Sequence, residues 1–117
     1  MNPPTLLVAC LCAAWCGTCR DYTPVFDALG ARLGAAAHFT WIDIEDEAEQ
    51  LDTLDIDDFP TVLIARGGEV VFFGPITPQP QTLARLVESA QADELRQAGV
   101  PDAVAALAQR LWVEVGA

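Results

Sequence analysis

The order of apolar and amphipathic segments in this 117-residue chain predicts an α/β domain built on a mixed sheet. Residues 5–12 form a nearly continuous apolar run, which is typical of a strand covered on both faces of a sheet. Residues 16–33 carry apolar side chains at helical intervals, and the later segments 61–65 and 69–73 are strands joined by a glycine turn. A buried strand, a helix and an antiparallel strand pair together indicate a sheet flanked by helices.

The segments between these strands complete the first half of the domain. The first helix is expected to end before Gly34, because glycine commonly follows the last helical turn. A second strand is predicted over 38–44 and a short helix over 47–54.

Two more helices are predicted after the strand pair. Proline residues favour a helix start near Thr77, and this helix is expected to run to about residue 98, before Gly99. A last helix begins near Pro101, and its apolar stripe is interpreted as docked on the domain rather than held out for a partner. The chain shows no repeat or linker, so residues 1–117 are interpreted as one domain.

The charge of the chain limits its partners. Seventeen acidic residues stand against six arginines, with a formal net charge of −11, which disfavours nucleic acid and anionic membrane surfaces. Nine acidic residues fall within residues 43–58, where they either attract a positively charged partner or form a solvated surface that aids solubility. The second interpretation is favoured.

The amino-terminal segment is not expected to direct secretion. No basic residue precedes Arg20, two prolines open the chain, and the apolar stretch before Cys10 is shorter than a secretory core. This stretch is also too short to span a bilayer. The chain is therefore expected to be cytoplasmic.

The motif Cys16-Gly17-Thr18-Cys19 lies at the predicted start of the first helix. A thiol at this position faces unpaired backbone N–H groups and the positive end of the helix dipole, both of which favour the thiolate. Cys16 is therefore the candidate nucleophile. Cys19 lies one turn further along the same helical face, where its sulfur can attack a mixed disulfide formed on Cys16.

The surroundings of this motif resemble the thioredoxin family. The matching features are Trp15 before the first cysteine, Arg20 after the second, Pro24 within the helix, and the segment Phe59-Pro60-Thr61 before a strand. The resemblance implies a thioredoxin-like fold with a central four-stranded mixed sheet flanked by helices. The family's usual first strand and helix are missing from this chain, and the C-terminal helix is additional.

The resemblance also implies roles for the residues around the cysteines. Pro60 is expected to shape the groove for a substrate backbone, with Phe59 and Thr61 beside it. Trp15 is expected to shield the sulfurs and offer an apolar docking face, or to pack in the core. Gly17 allows close approach of another chain, and Thr18 replaces the proline that most thioredoxins carry; both are predicted to contact substrate.

The chain departs from the family at two positions, Cys10 and Trp41. Ungapped matching places Cys10 where thioredoxins have a buried aspartate, and Trp41 where they have the accompanying lysine. Both are possible modulators of the redox reaction. Without a nearby base, a desolvated Cys19 is expected to resolve mixed disulfides slowly, unless water or Asp43 substitutes.

The two cysteines of the first strand allow several interpretations. Cys10 and Cys12 point to the same face of a strand. They are either inert small hydrophobic residues, which is the favoured interpretation, or Cys10 exchanges with Cys19 as a third redox thiol. A zinc or iron–sulfur site on the four cysteines is disfavoured, because their spacing matches no common zinc pattern.

The resulting functional prediction is a thiol–disulfide oxidoreductase that acts on disulfides of protein partners. It needs no cofactor other than its redox-active disulfide, and the resemblance implies an external reductant such as a thioredoxin reductase or another dithiol protein. The alternative is a binding or assembly module with weak turnover. The missing first strand leaves residues 38–44 at the sheet edge, which permits a homodimer through this strand.

Overall fold

A computed structural model describes residues 6–13, 17–34, 37–44, 60–67, 69–77, 79–92, 94–95, 97 and 99–116, without the side chains of 114–116. The predicted helix over 47–54 lies outside these residues. The described elements, in chain order, are β1 (Leu6–Cys12), α1 (Gly17–Leu33), β2 (Ala37–Asp43), β3 (Thr61–Arg66), β4 (Glu69–Pro75), α2 (Pro80–Gln91) and α3 (Asp102–Gly116).

The four strands form one mixed sheet in the order β2-β1-β3-β4. Strand β1 pairs parallel with β2 and antiparallel with β3, and β3 pairs antiparallel with β4. Gly67, with a φ of 59°, adopts in the β3–β4 turn the left-handed conformation that glycine tolerates best. The predicted four-stranded mixed sheet is confirmed, and β2 is an edge strand of the sheet formed by the described residues.

Strand β1 is buried along its whole length because helices cover both faces of the sheet. The even-numbered residues of β1, including Cys10 and Cys12, share a core cluster with buried residues of α1 and α2. The odd-numbered residues share a second cluster with Leu107 and neighbouring apolar residues of α3. The apolar stripe of the last helix is therefore docked on the domain, as predicted.

Helix α2 is shorter than the sequence predicts, because it ends at Gln91 rather than near residue 98. The guanidinium of Arg66 donates hydrogen bonds to the carbonyl oxygens of Ala90 and Gln91, the second at 3.3 Å. A cation that bonds the last carbonyls also interacts favourably with the helix dipole. Arg66 belongs to β3, so this C-terminal cap is a tertiary contact.

A helix that crosses a bilayer needs about 20 consecutive, mostly apolar residues. Over the stretches of chain that the structure describes, no helix is both long enough and apolar enough to cross one.

Candidate redox site

The site is centred on a disulfide between Cys12 and Cys19. Cys12 is the last residue of β1 and Cys19 lies in the first turn of α1. Their Cα atoms are 5.8 Å apart, within the range that a disulfide spans, and each residue is only 1% exposed. The strand end and the helix start are thus covalently joined beneath the surface.

This pairing differs from the one that the motif predicts. Cys16, the predicted partner of Cys19, and Trp15 lie outside the described residues. The favoured interpretation of Cys12 as an inert hydrophobic residue is wrong, because its sulfur is bonded to Cys19. The alternation of β1 indicates that Cys10 and Cys12 share one face of the strand, but it does not show that the first turn of α1 comes within bonding distance of Cys12.

The amino end of α1 presents a polar, accessible surface. Gly17, Thr18 and Arg20 are exposed, whereas Cys19 is buried between them. Among the described residues, a Cβ atom added at Gly17 would meet the Arg20 guanidinium at 3.9 Å. The predicted contact of Gly17 with substrate stays a prediction.

Helix α1 continues through Pro24 to Leu33. Proline has no backbone N–H, so the carbonyl of Arg20 lacks its usual helical donor. One residue earlier, the hydroxyl of Thr23 donates to the carbonyl oxygen of Cys19 at 3.1 Å. The carbonyl oxygen of Cys19, a residue of the disulfide, thus accepts a hydrogen bond from a side chain of the same helix.

Pro60 and Thr61 lie at the same end of the sheet as the disulfide. Thr61 pairs with Leu11, so the antiparallel register places the preceding Pro60 beside Cys12. The backbone N–H of Ile76 donates to the Pro60 carbonyl at 3.0 Å, which fixes this segment on the β4 side. The structure thereby brings Pro60, Thr61 and Cys19 together, while Phe59 lies outside the described residues.

Cys10 is the free cysteine of the described residues, and it is completely buried. Desolvation raises the pKa of its thiol to about 12, so Cys10 is a neutral thiol at physiological pH. The hydroxyl of Tyr22 is buried without a hydrogen-bond partner in the described structure. Burial, and secondarily the nearby Cys10, raise the pKa of the Tyr22 hydroxyl as well.

Cysteine sulfurs can also bind a metal ion. Among the residues that the structure describes, no group of three or more histidine, cysteine, aspartate or glutamate side chains is placed to hold a metal ion. Cys12 and Cys19 instead use their sulfurs in the bond to each other.

The sequence model of the family described as Thioredoxin matches residues 2–92 of this chain. The chain belongs to the thioredoxin family. A rice (Oryza sativa subsp. japonica) protein, Thioredoxin H2-1, is 37% identical over 70 residues, which cover 60% of this chain and 50% of the rice protein. Thioredoxin of Listeria monocytogenes is 34% identical over 59 residues, which cover 50% of this chain and 57% of the bacterial protein. The chain thus spans about half the length of these curated relatives.

Solved structures agree on the fold of this thioredoxin-family chain. Thioredoxin from Trypanosoma brucei brucei superposes with a TM-score of 0.66 at 24% identity, covering 80% of each chain. Thioredoxin from Fasciola hepatica gives a TM-score of 0.61 at 23% identity, covering 78% of this chain and 83% of the other. At these identities the likeness establishes the architecture alone.

Cys10 and Trp41, the two predicted modulators of the redox reaction, are neighbours in the sheet. Cys10 on β1 pairs in register with Trp41 on β2, and the Trp41 ring packs edge-on against Phe26 of α1 with centroids 5.8 Å apart. Asp43, two residues further along β2, pairs in register with Cys12. Asp43 therefore lies at the end of the sheet that carries the disulfide.

Cys10→Asp is expected to accelerate the reduction of a protein disulfide on the order of tenfold, because a buried carboxylate supplies the general base that the resolving thiol lacks. Desolvation raises the pKa of a buried carboxyl, so the gain should grow as the pH rises through that pKa. The measurement is the rate of insulin reduction with dithiothreitol against pH. Cys10→Asn is the control, since it has the same shape and cannot exchange a proton. Equal rates for the two variants would show that no base is missing.

Proposed function

We propose that this chain is a thiol–disulfide oxidoreductase that acts on disulfides of protein partners, with Cys16 as the attacking thiol and Cys19 as the resolving thiol. The observation that carries the proposal is the participation of Cys19 in a disulfide at the first turn of α1, in a chain of the thioredoxin family. A cysteine held in a disulfide at the amino end of a helix supports thiol–disulfide exchange as the chemistry of this site.

The proposed reaction has two exchange steps. The Cys16 thiolate attacks one sulfur of the partner's disulfide, forming a mixed disulfide and releasing the partner's other sulfur as a thiolate. The Cys19 thiolate then attacks the sulfur of Cys16, which releases the partner as a dithiol and leaves Cys16 and Cys19 joined. Two electrons pass from the chain to the partner, and no other cofactor takes part.

Substrate recognition is assigned to the surface around this helix end. Exposed Gly17 and Thr18 border it on one side, and Pro60 and Thr61 lie at the same end of the sheet. We assign Trp15 and Phe59 to the same surface from the family resemblance. Pro60 itself is buried. We therefore assign the pairing with the backbone of an extended partner chain to the main chain of Phe59, as the family resemblance implies.

The electrons are proposed to come from a thioredoxin reductase or another dithiol protein. We propose a cytoplasmic location for the chain. Net reduction of partner disulfides is the direction expected there, because thiols in the cytoplasm are kept reduced. The experiment is the reduction of insulin disulfides by the purified chain with dithiothreitol. Precipitation of the insulin B chain faster than with dithiothreitol alone supports the proposal, and a rate equal to that background contradicts it.

A binding or assembly module with weak turnover is the second candidate. The observation that favours it is Cys10, a buried neutral thiol at the position of the family's aspartate. The same insulin assay separates the two candidates, because a binding module leaves the background rate unchanged.

We also propose that β2 pairs with β2 of a second copy to form a homodimer. β2 is an edge strand in the described sheet, and its Trp41 is 36% exposed. An edge strand presents unpaired N–H and C=O groups that pair readily with another strand. Analytical ultracentrifugation should show a dimer that Trp41→Lys weakens. Gln81→Lys, at an exposed position of α2, is the matched control. A strict monomer at all concentrations contradicts this proposal.

A further inference from the structure

Cys19 has two cysteines within reach, one by sequence and one by structure. The motif places Cys16 one helical turn before it, and the structure bonds it to Cys12. We propose that Cys12 is a third redox-active cysteine, and that Cys19 exchanges its disulfide between Cys16 and Cys12. This inference rests on the proposed function, because Cys16 must first accept the partner's disulfide.

The placement of the two bonded sulfurs decides the order of events. Cys12 and Cys19 are each 1% exposed, so a protein disulfide cannot reach either of them directly. The proposed function assigns the first exchange with a partner to Cys16. Cys12 is therefore oxidised only through Cys19.

The exchange is balanced without any further oxidant. After the partner has been reduced, the Cys16–Cys19 disulfide remains. The Cys12 thiolate attacks the sulfur of Cys19, the Cys12–Cys19 bond forms, the Cys16–Cys19 bond breaks, and Cys16 leaves as a thiolate. The proton lost by the Cys12 thiol is released to solvent. The number of disulfides does not change, and the reverse attack by Cys16 returns Cys19 to the accessible couple for reduction.

Cys10 does not take part in this exchange, although it faces the same core cluster as Cys12. It is the free cysteine of the described residues, whereas the sulfur of Cys12 lies within bonding distance of the sulfur of Cys19. Two cysteines that share one face of β1 therefore have different roles.

The exchange has a functional consequence. Oxidised protein in the Cys12–Cys19 form retains an unbonded Cys16, whose thiolate can attack another partner disulfide, forming a mixed disulfide and releasing the partner's other sulfur as a thiolate. This mixed disulfide persists until the Cys12–Cys19 bond is reduced and Cys19 can resolve it. In the Cys16–Cys19 form this nucleophile is blocked. Cys12 thus sets how much of the oxidised protein keeps a reactive Cys16.

The test is reciprocal labelling of the cysteines during anaerobic oxidation by insulin. Samples are quenched with acid, unfolded and treated with one alkylating reagent, then reduced and treated with an isotopically heavy one. No lysine or arginine precedes Arg20, so trypsin releases residues 1–20 with all four cysteines on one peptide. Fragmentation of this peptide shows which cysteines were bonded.

The heavy label is expected first on Cys16 and Cys19, then on Cys12 and Cys19, with Cys10 light throughout. In Cys16→Ser, insulin should leave Cys12 and Cys19 light. A Cys12 that stays light while Cys16 and Cys19 become heavy would overturn this inference alone. Absence of heavy label from every cysteine would instead overturn the proposed function.

A second readout uses the reactivity of Cys16 in the oxidised protein. Iodoacetamide should alkylate Cys16 in the oxidised parent chain but not in oxidised Cys12→Ala, where Cys16 is held by Cys19. Cys12→Val gives the same readout if the smaller side chain destabilises the fold, and Cys10→Ala is the matched control that should keep the parent's reactivity. Equal alkylation of the parent and both Cys12 variants would contradict the exchange.

Discussion

Replacing Cys19 with serine is expected to convert a transient mixed disulfide into a stable covalent complex between Cys16 and a protein substrate. Serine cannot attack the sulfur of Cys16, so the second exchange step is lost while the first remains. Incubation with insulin should shift most of the chain to the mass of a complex on a non-reducing gel, and dithiothreitol should reverse the shift.

Two further variants define what this trap reports. Cys16→Ser in the Cys19→Ser background removes the attacking sulfur and should abolish the complex. Cys12→Ala in that background removes the other thiol that borders the site, so the complex should persist or increase. A complex that survives the loss of Cys16, or that maps to another cysteine, would show that the nucleophile has been misassigned.

Leu107→Ala is expected to lower the free energy of unfolding by about 2–5 kcal/mol, the range for removing a fully buried leucine side chain. Leu107 has no exposed surface and belongs to the cluster between α3 and the sheet. Helix α3 covers this face, so the cavity forms at the contact on which the burial of β1 depends. Urea unfolding followed by circular dichroism gives the free energy.

Gln109→Ala is the matched control for this prediction, because Gln109 lies on the same helix and is exposed. Surface substitutions usually change stability by no more than about 0.5 kcal/mol. Similar losses for the two variants would mean that α3 contributes through its helical propensity rather than through its packing on the sheet.

The architecture could be predicted because its main signals are local. The apolar run of β1 reports burial on both faces, and the repeat of apolar residues in α1 and α3 reports a helix with one buried side. The end of α1 before Gly34 also follows from a local signal. The end of α2 does not follow from a local signal, because the Arg66 side chain that bonds its last carbonyl oxygens comes from β3.

The candidate site could be predicted less completely, because its bonding also depends on contacts between separate segments of the chain. The motif identified Cys19 and the helix end, and the segment after Phe59 located Pro60 beside them. The bond between Cys12 and Cys19 depends on how closely the end of β1 approaches the first turn of α1, which no residue pattern in either segment encodes. The sequence analysis allowed Cys10 as a third redox thiol, and only three-dimensional proximity shows that Cys12 is the cysteine bonded to Cys19.

The most direct test of the central claim compares insulin reduction by the parent chain and by Cys16→Ser in the presence of dithiothreitol. Exchange through the Cys16 thiolate predicts rapid precipitation of the insulin B chain with the parent and the background rate with the variant. A parent chain no faster than dithiothreitol alone, or a Cys16→Ser variant as fast as the parent, would contradict the account.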